Sequence, residues 1–170
     1  NQSGHRVQIQ KIYSDPDQQK DLKKKVKEVK VYIETTIKGP AVKTGKYAAA
    51  LVFTKQNGAV KDLIVQGEEE ETTFNRSVLL AMIRALKRFT EPCHIIFYTE
   101  NTYIKNMVEC GNPEKWRRAE WRKAAGKEVQ NKELWQLFLE EKEKHEVEIK
   151  FSKYSAYKET LQELLNREEV

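Results

Sequence analysis

The feature that most constrains the fold is the apolar run CHIIFYT at 93–99, which follows Pro92. A strand that is apolar on both faces is typical of the centre of a parallel sheet, where helices cover both sides. The segment before it, 72–89, repeats apolar residues at the spacing of an amphipathic helix. The sequence therefore predicts an α/β fold in which 93–99 is a central strand.

Apolar periodicity and turn signals predict the other elements. Three strands precede the helix, and Asn57-Gly58 joins the second and third as a hairpin turn. Glu68–Glu71 are interpreted as a solvated loop. Residues 1–28 are interpreted as an N-terminal extension, and residues 29–170 as one domain. The extension includes a short strand at 7–13 and a lysine-rich segment at 20–30. The predicted strands are 29–37, 46–54, 60–66, 93–99 and 146–152, and the predicted helices are 72–89, 101–110, 113–124, 131–144 and 157–168.

The composition is that of a globular protein. Of the 170 residues, 39% are hydrophobic and 34% are charged, which argues against a disordered chain. The longest apolar run, at 47–53, is too short to cross a bilayer. Because no signal peptide opens the sequence, we expect a cytoplasmic protein without a membrane partner. Cys93 and Cys110 have neither zinc-ligand nor redox spacing, and we expect both to be reduced.

Four stretches, taken in order, match the motifs of one known family. They are VYIETT followed by GKYAAAL, then TTFNRSVLLAMIRAL, FYTENTYI and KWRRAEWRKAAGKEVQNKELWQLF. At their compatible spacing they resemble the type 1 ribonucleases H over about residues 29–165. The resemblance implies a ribonuclease H-like fold. This is a five-stranded mixed sheet, an antiparallel meander followed by parallel strands, with helices on both faces.

The resemblance also implies a centre of four carboxylates that holds two magnesium ions. The family's order is Asp, Glu, Asp and Asp, whereas the matching positions here are Glu34, Val78, Glu100 and Gln162. Two ions about 3.5–4 Å apart need several carboxylate charges and hard oxygen ligands. Two carboxylates are missing, and the two that remain are each a methylene longer than aspartate. We therefore expect Glu34 and Glu100 to mark a degenerate site that binds magnesium or manganese weakly or not at all.

Two alternatives stay open at this site. Glu34 ends an apolar strand, so this residue could simply have reached water. If the last helix begins at a different residue, Glu159 would face the site in place of Gln162. Glu34, Glu100 and Glu159 would then form a reduced triad, enough for one ion.

Residues 115–127 combine positive charge with two tryptophans. Six basic residues stand against one acidic residue, Glu120, and such a cluster is typical of contact with a phosphate backbone. In the family, the corresponding protrusion grips the RNA–DNA hybrid. The alternative is that the tryptophans pack the segment onto the protein and the basic residues are only solvated. Thr73 and Asn75 match family positions at the first helix that touch phosphate and sugar. The candidate binding residues of the segment are Lys115, Trp116, Arg117, Arg118, Trp121, Arg122, Lys123 and Lys127.

The sequence leaves three functions open. The first is a catalytically degenerate ribonuclease H-like domain that binds nucleic acid, as a hybrid or duplex backbone, or binds a partner protein. The second is a weakly active endoribonuclease that cuts the RNA strand of RNA–DNA hybrids. The third is a purely structural interaction module. Metal-dependent cleavage would identify the second function, and salt-dependent binding separates the first from the third.

Overall fold

A computed structural model describes residues 26–167 of the chain. These residues form one five-stranded sheet and five helices. The strands are β1 (Lys27–Thr35), β2 (Lys43–Thr54), β3 (Val60–Thr72), β4 (Cys93–Thr99) and β5 (Glu146–Phe151). The helices are α1 (Phe74–Leu86), α2 (Thr102–Glu109), α3 (Asn112–Arg118), α4 (Lys132–Lys142) and α5 (Lys158–Leu165).

The sheet is mixed, in the order β3-β2-β1-β4-β5. β2 runs antiparallel to both β1 and β3, whereas β4 is parallel to β1 and β5 is parallel to β4. β4 is a central strand with five of its seven residues buried, as its apolar sequence predicts. The predicted antiparallel meander followed by parallel strands is confirmed.

The main hydrophobic core lies between one face of the sheet and helices α1 and α4. Val29, Val31 and Ile33 alternate along β1 and belong to this core, because every second residue of a strand faces the same side. α4 contributes Trp135 and Phe138, whose rings meet edge to face with centroids 5.8 Å apart. The start of α1 is thereby held beside the ends of β1 and β4.

The opposite face of the sheet is covered by α5. Leu161 and Leu165 pack against the small side chains of Ala48 and Ala50. The ring of Tyr32 stacks on that of Tyr98 and on that of Tyr157 just before α5, with centroids 4.9 and 5.3 Å apart. Helices therefore cover both faces, as predicted.

The acidic run Glu68–Glu71 is not a solvated loop, so that prediction is wrong. β3 continues through the run to Thr72, with Glu68 opposite Lys46 and Glu69 opposite Gly45 on β2. Glu69 also accepts hydrogen bonds from Arg76 Nε at 2.9 Å and Arg76 Nη2 at 3.0 Å. The backbone hydrogen bonds to β2 and this bidentate ion pair outweigh the poor strand propensity of glutamate.

The helix predicted at 113–124 is also wrong in its extent, since α3 ends at Arg118. Glu120 and Trp121 have left-handed backbone angles, with φ of 55° and 63°, which a right-handed helix cannot contain. The Trp121 N–H instead donates to the Trp116 carbonyl oxygen at 2.7 Å. This turn places the Trp121 indole in the core, so burial of the ring ends the helix early.

The other predicted boundaries differ from the structure by a few residues, apart from 93–99, which is unchanged. The predicted strand at 7–13 and residues 20–25 of the lysine-rich segment lie outside the described residues, so the extension stays a prediction. Within residues 26–167, none of the helices has the length and apolar character of a membrane span.

Candidate active-site pocket and basic surface

Glu34 is a buried carboxylate at the end of β1. The residue is only 3% exposed, so the interpretation that it had simply reached water is wrong. Its neighbour Thr35 is the last residue of β1, and Glu100 directly follows the end of β4. Because β1 and β4 are adjacent parallel strands, their carboxyl ends meet at one edge of the sheet. The structure therefore brings Glu34 and Glu100 together.

Lys38 lies between the two glutamates. Its Nζ donates to Glu34 Oε1 at 2.9 Å and to Glu100 Oε2 at 2.7 Å. The two carboxylates are therefore at most about 6 Å apart, twice a hydrogen-bond length. The Lys38 ammonium group therefore occupies the space between the two carboxylates at this end of the sheet.

The loop after β1 explains the position of Lys38. The preceding residue, Ile37, is buried, and its carbonyl oxygen accepts a hydrogen bond from Thr35 Oγ1 at 2.7 Å. Ile37 packs where residue 45 has no side chain, since a Cβ on Gly45 would lie 2.6 Å from Ile37 Cδ1. Anchored in this way, the loop turns the Lys38 side chain back over the end of β1.

Lys158, the first residue of α5, provides a second cation. Its Nζ donates to Glu100 Oε1 at 2.5 Å and to the Lys153 carbonyl oxygen at 2.8 Å. Burial alone would raise the pKa of Glu100, but the hydrogen bonds from Lys158 and Lys38 outweigh it and hold that pKa below its usual value. Burial opposes the charge of Lys38, yet its contacts with Glu100 and Glu34 raise the Lys38 pKa overall. Both partners are therefore charged at neutral pH.

Gln162 faces Glu34, and Glu159 does not. Gln162 Nε2 donates to Glu34 Oε1 at 2.8 Å and to the Thr35 carbonyl oxygen at 3.0 Å. Glu159, one turn earlier on α5, is exposed. The structure thus does not bring together the triad of Glu34, Glu100 and Glu159 that a shifted helix would have formed.

Val78 closes the pocket from the side of α1. The side chain is fully buried and lines the same space as Glu34 and Glu100, together with Phe74 and Lys38. This space leaves no room for a water molecule. The isopropyl group therefore lines the same space as the two carboxylates, at the position where the family resemblance implies a glutamate.

The two tryptophans of the segment 115–127 pack against the protein. Trp121 is buried in the core, and the Trp116 ring meets that of Trp135 edge to face at 5.5 Å. The basic side chains point outward instead. Among the described residues, only Arg117 of the six pairs with a carboxylate, that of Glu143. The exposed basic residues are Lys115, Arg117, Arg118, Arg122, Lys123 and Lys127.

Thr73 and Asn75 have structural partners at the start of α1. Thr73 is the N-cap, and its hydroxyl oxygen accepts from the Arg76 N–H at 3.2 Å. Asn75 Oδ1 accepts from Asn101 Nδ2 at 2.9 Å, which ties α1 to the start of α2. Both side chains are half-buried, so part of each remains open to a ligand.

Comparison with known proteins identifies the family. A family model for RNase H matches residues 26–154. The chain belongs to the ribonuclease H family. The ribonuclease H of Caldicellulosiruptor saccharolyticus is 35% identical over 133 residues, which are 78% of this chain and 86% of that protein. The ribonuclease H of Brucella ovis is 43% identical over 91 residues, which are 54% of this chain but only 57% of that relative.

A solved structure agrees with the ribonuclease H fold. LC9-RNase H1, a type 1 RNase H with the type 2 active-site motif, matches with a TM-score of 0.68 at 22% identity. The match covers 82% of this chain and 70% of that chain. At this identity the likeness concerns the fold.

The ribonuclease H pocket of this chain does not fit a pair of magnesium ions. Ribonucleases H normally use magnesium or manganese, and magnesium needs near-octahedral oxygen ligands at about 2.0–2.1 Å. Here three of the four carboxylate oxygens of Glu34 and Glu100 already accept hydrogen bonds from lysine. Within residues 26–167, no group of three or more His, Cys, Asp or Glu side chains is arranged to hold a metal ion.

Sequence reasoning missed both pocket lysines. Lys158 had a detectable signal, since it lies four residues before Gln162 on the same helix and so on the same face. Lys38 had none, because its position depends on a loop and on the buried Ile37. Arg76 was also missed. It contacts Glu69 of β3 and Glu133 of α4 and so joins three elements.

Proposed function

We propose that this ribonuclease H-family domain binds the backbone of a nucleic-acid duplex, either RNA–DNA hybrid or double-stranded nucleic acid, without cutting it at a normal ribonuclease H rate. The observation that carries the proposal is Lys38, whose ammonium group contacts both remaining carboxylates of the pocket. The proposal that the domain binds a duplex without normal cleavage concerns this chain and not its relatives, which are named ribonuclease H.

Loss of cleavage follows from the charge of the pocket. Cutting a phosphodiester with two metal ions stabilises the attacking and leaving oxygens, and carboxylates must hold those ions in place. Glu34 and Glu100 are neutralised by Lys38 and Lys158, and Val78 and Gln162 carry no charge. We therefore expect the cleavage rate with magnesium to be at least about a thousandfold below that of an active relative.

Binding follows from the basic segment 115–127. Its tryptophans are occupied in packing, but most of its cations are exposed and have no carboxylate partner within residues 26–167. Each such cation that neutralises a phosphate releases a counterion, which makes affinity strongly dependent on salt. Thr73 and Asn75 at the start of α1 would add polar contacts to phosphate and sugar.

The test is duplex binding as a function of salt, measured by fluorescence anisotropy with a labelled RNA–DNA hybrid. Replacing Arg117, Arg118, Arg122 and Lys123 by glutamine should reduce the slope of log affinity against log salt by up to about 0.9 per lost contact. A matched control removes the same number of exposed charges outside the basic segment, by replacing Lys30, Lys55, Lys61 and Lys87 with glutamine. The control should change the slope much less.

The same preparation is assayed for cleavage of the hybrid with magnesium and with manganese. Brisk cleavage that Glu34→Ala abolishes would overturn the proposal and support a working nuclease. Absence of any duplex binding at low salt would instead support a structural module. An equal loss of slope in the control variant would move the contact away from the basic segment.

A further inference from the structure

The pocket at the ends of β1 and β4 is balanced in charge by side chains alone. Two carboxylates, Glu34 and Glu100, face two ammonium groups, Lys38 and Lys158. The side chain of Glu34 is 2% exposed and that of Glu100 is 13% exposed, whereas those of Lys38 and Lys158 are 35% and 27% exposed. Buried carboxylates of this kind need a cation beside them, and here the chain supplies it.

We propose that Lys38 and Lys158 are resident cations, which take the place of metal ions in holding the carboxylates of this pocket. The domain therefore keeps its strand ends together, and offers its surface to a phosphate backbone, without a divalent ion. The first part stands on the geometry alone, and the second part rests on the proposed binding function.

The two ammonium groups provide the carboxylates of the pocket with hydrogen-bond donors. Each ammonium group has three N–H donors, and carboxylate oxygens accept strong hydrogen bonds from such a cation. Lys38 directs two donors to carboxylates, and Lys158 directs one to Glu100 and one to the Lys153 carbonyl oxygen. Within residues 26–167, the third N–H of each ammonium group makes no further hydrogen bond.

The remaining two family positions match this replacement. Val78 needs no cation beside it and fills space next to the carboxylates. Gln162 donates its amide N–H to Glu34, where a carboxylate would repel it. Two negative charges have been lost at these positions, and the two that remain equal the charge of two lysines.

The lack of free volume beside Glu34 also works against a hydrated ion. Magnesium in proteins usually keeps several of its water ligands, yet the pocket between Glu34, Phe74 and Val78 leaves no room for one water molecule. The lysines instead reach the carboxylates from an open depression of about 430 Å³, where Lys38 and Lys158 lie on either side of Glu100. A backbone phosphate at this depression would meet ammonium groups and not bare carboxylates.

The direct test is a metal titration of the wild-type chain. Isothermal titration calorimetry measures the heat of binding, and thermal unfolding measures Tm at each metal concentration. Magnesium and manganese chloride should cause no saturable heat. They should also shift Tm no more than sodium chloride of equal ionic strength. A saturable heat, or a Tm increase specific to the divalent ions, would overturn the proposal.

Lys38→Met sharpens the test because it removes the cation and keeps the length of the side chain. This variant should gain a stabilisation by manganese, and more weakly by magnesium, of roughly a few degrees in Tm at about ten times its Kd. Lys38→Arg keeps a cation and should not respond. Lys153→Met removes a charge from the same rim without a carboxylate contact and should not respond either.

If Lys38→Met and Lys158→Met both fold and neither is stabilised by manganese or magnesium, the lysines do not replace a metal ion and the proposal is overturned. If Lys38→Met does not fold, the wild-type titration still decides. Duplex binding is then compared in EDTA and in magnesium at equal ionic strength, and it should be unchanged. Loss of binding in EDTA would overturn the inference that the domain binds a duplex without a divalent ion, and would leave the resident cations unaffected. Absence of binding in both buffers would overturn the proposed function, and the metal titration would then decide on the resident cations.

Discussion

Two regions of this ribonuclease H domain use positive charge in opposite ways. In the pocket, Lys38 and Lys158 each contact a carboxylate that is almost removed from water. In the basic segment 115–127, the cations lie on the surface, and Arg117 is the one that pairs with a carboxylate among the described residues. The count of basic residues therefore does not measure how much positive charge a surface offers to a ligand. A phosphate contacts most readily the exposed charge that no buried carboxylate holds.

The largest expected effect is the restoration of a metal site in the pocket. Glu34→Asp, Val78→Glu, Glu100→Asp and Gln162→Asp together restore the family's four carboxylates, but Lys38 would still lie among them. The fourfold variant should therefore bind magnesium only weakly. Adding Lys38→Ala should raise the magnesium affinity, because the ammonium group no longer competes for the same oxygens. Calorimetry with magnesium measures both variants.

The same two variants are then assayed on the hybrid. The fivefold variant should exceed the wild-type rate by about tenfold or more, if metal binding was the missing step. Equal magnesium affinity in the fourfold and fivefold variants would show that Lys38 does not control metal binding in the pocket.

The next effect is on stability, where one chemical change is made in both regions. Lys38→Met leaves the buried Glu34 without its closest cation and should lower the free energy of unfolding by about 2 kcal/mol, less than for a fully buried pair because Lys38 is partly exposed. Lys123→Met removes an exposed charge and should change it by less than about 0.5 kcal/mol. Urea denaturation of both variants gives the two values.

A second substitution tests the cause of the loss at Lys38. Glu34→Gln combined with Lys38→Met removes both charges, so the double variant should recover part of the stability that Lys38→Met loses. Equal effects of Lys38→Met and Lys123→Met would show that the pocket pair is no more important to the fold than a surface charge.

The smallest effect separates packing from binding inside the basic segment. Trp116→Phe weakens the edge-to-face contact with Trp135 and should lower the free energy of unfolding by about 1 kcal/mol. The salt slope of duplex binding should not change, because the variant removes no charge. A reduced slope would mean that Trp116 positions the neighbouring cations on the duplex.

The elements that were predicted best are those with a strong local signal. The strand at 93–99 has the predicted bounds because an apolar run between turn residues has few alternatives. Glu68–Glu71 were misplaced because glutamate has low strand propensity, and their pairing with β2 and Arg76 depends on residues distant in the sequence. The end of α3 was misplaced because burial of Trp121 is decided by tertiary packing.

The site was predictable in its positions and not in its contacts. Family motifs indicated Glu34, Val78, Glu100 and Gln162, and the structure brings all four together. No motif indicates Lys38, because its place results from the buried Ile37, which packs where Gly45 has no side chain. A catalytic pattern can be read from a sequence, but a lysine that enters the pocket from a loop is found only in the structure.

The extended acidic strand has a consequence for self-association. β3 is an edge strand of thirteen residues, so one row of its backbone N–H and C=O groups lacks a neighbouring strand within the described sheet. Such an edge can template pairing with another copy and so lead to aggregation. Two copies joined antiparallel about the run Glu68–Glu71 would bring like charges opposite each other, which destabilises a sheet. The glutamates of this run therefore disfavour pairing of the β3 edge with a second copy of the chain.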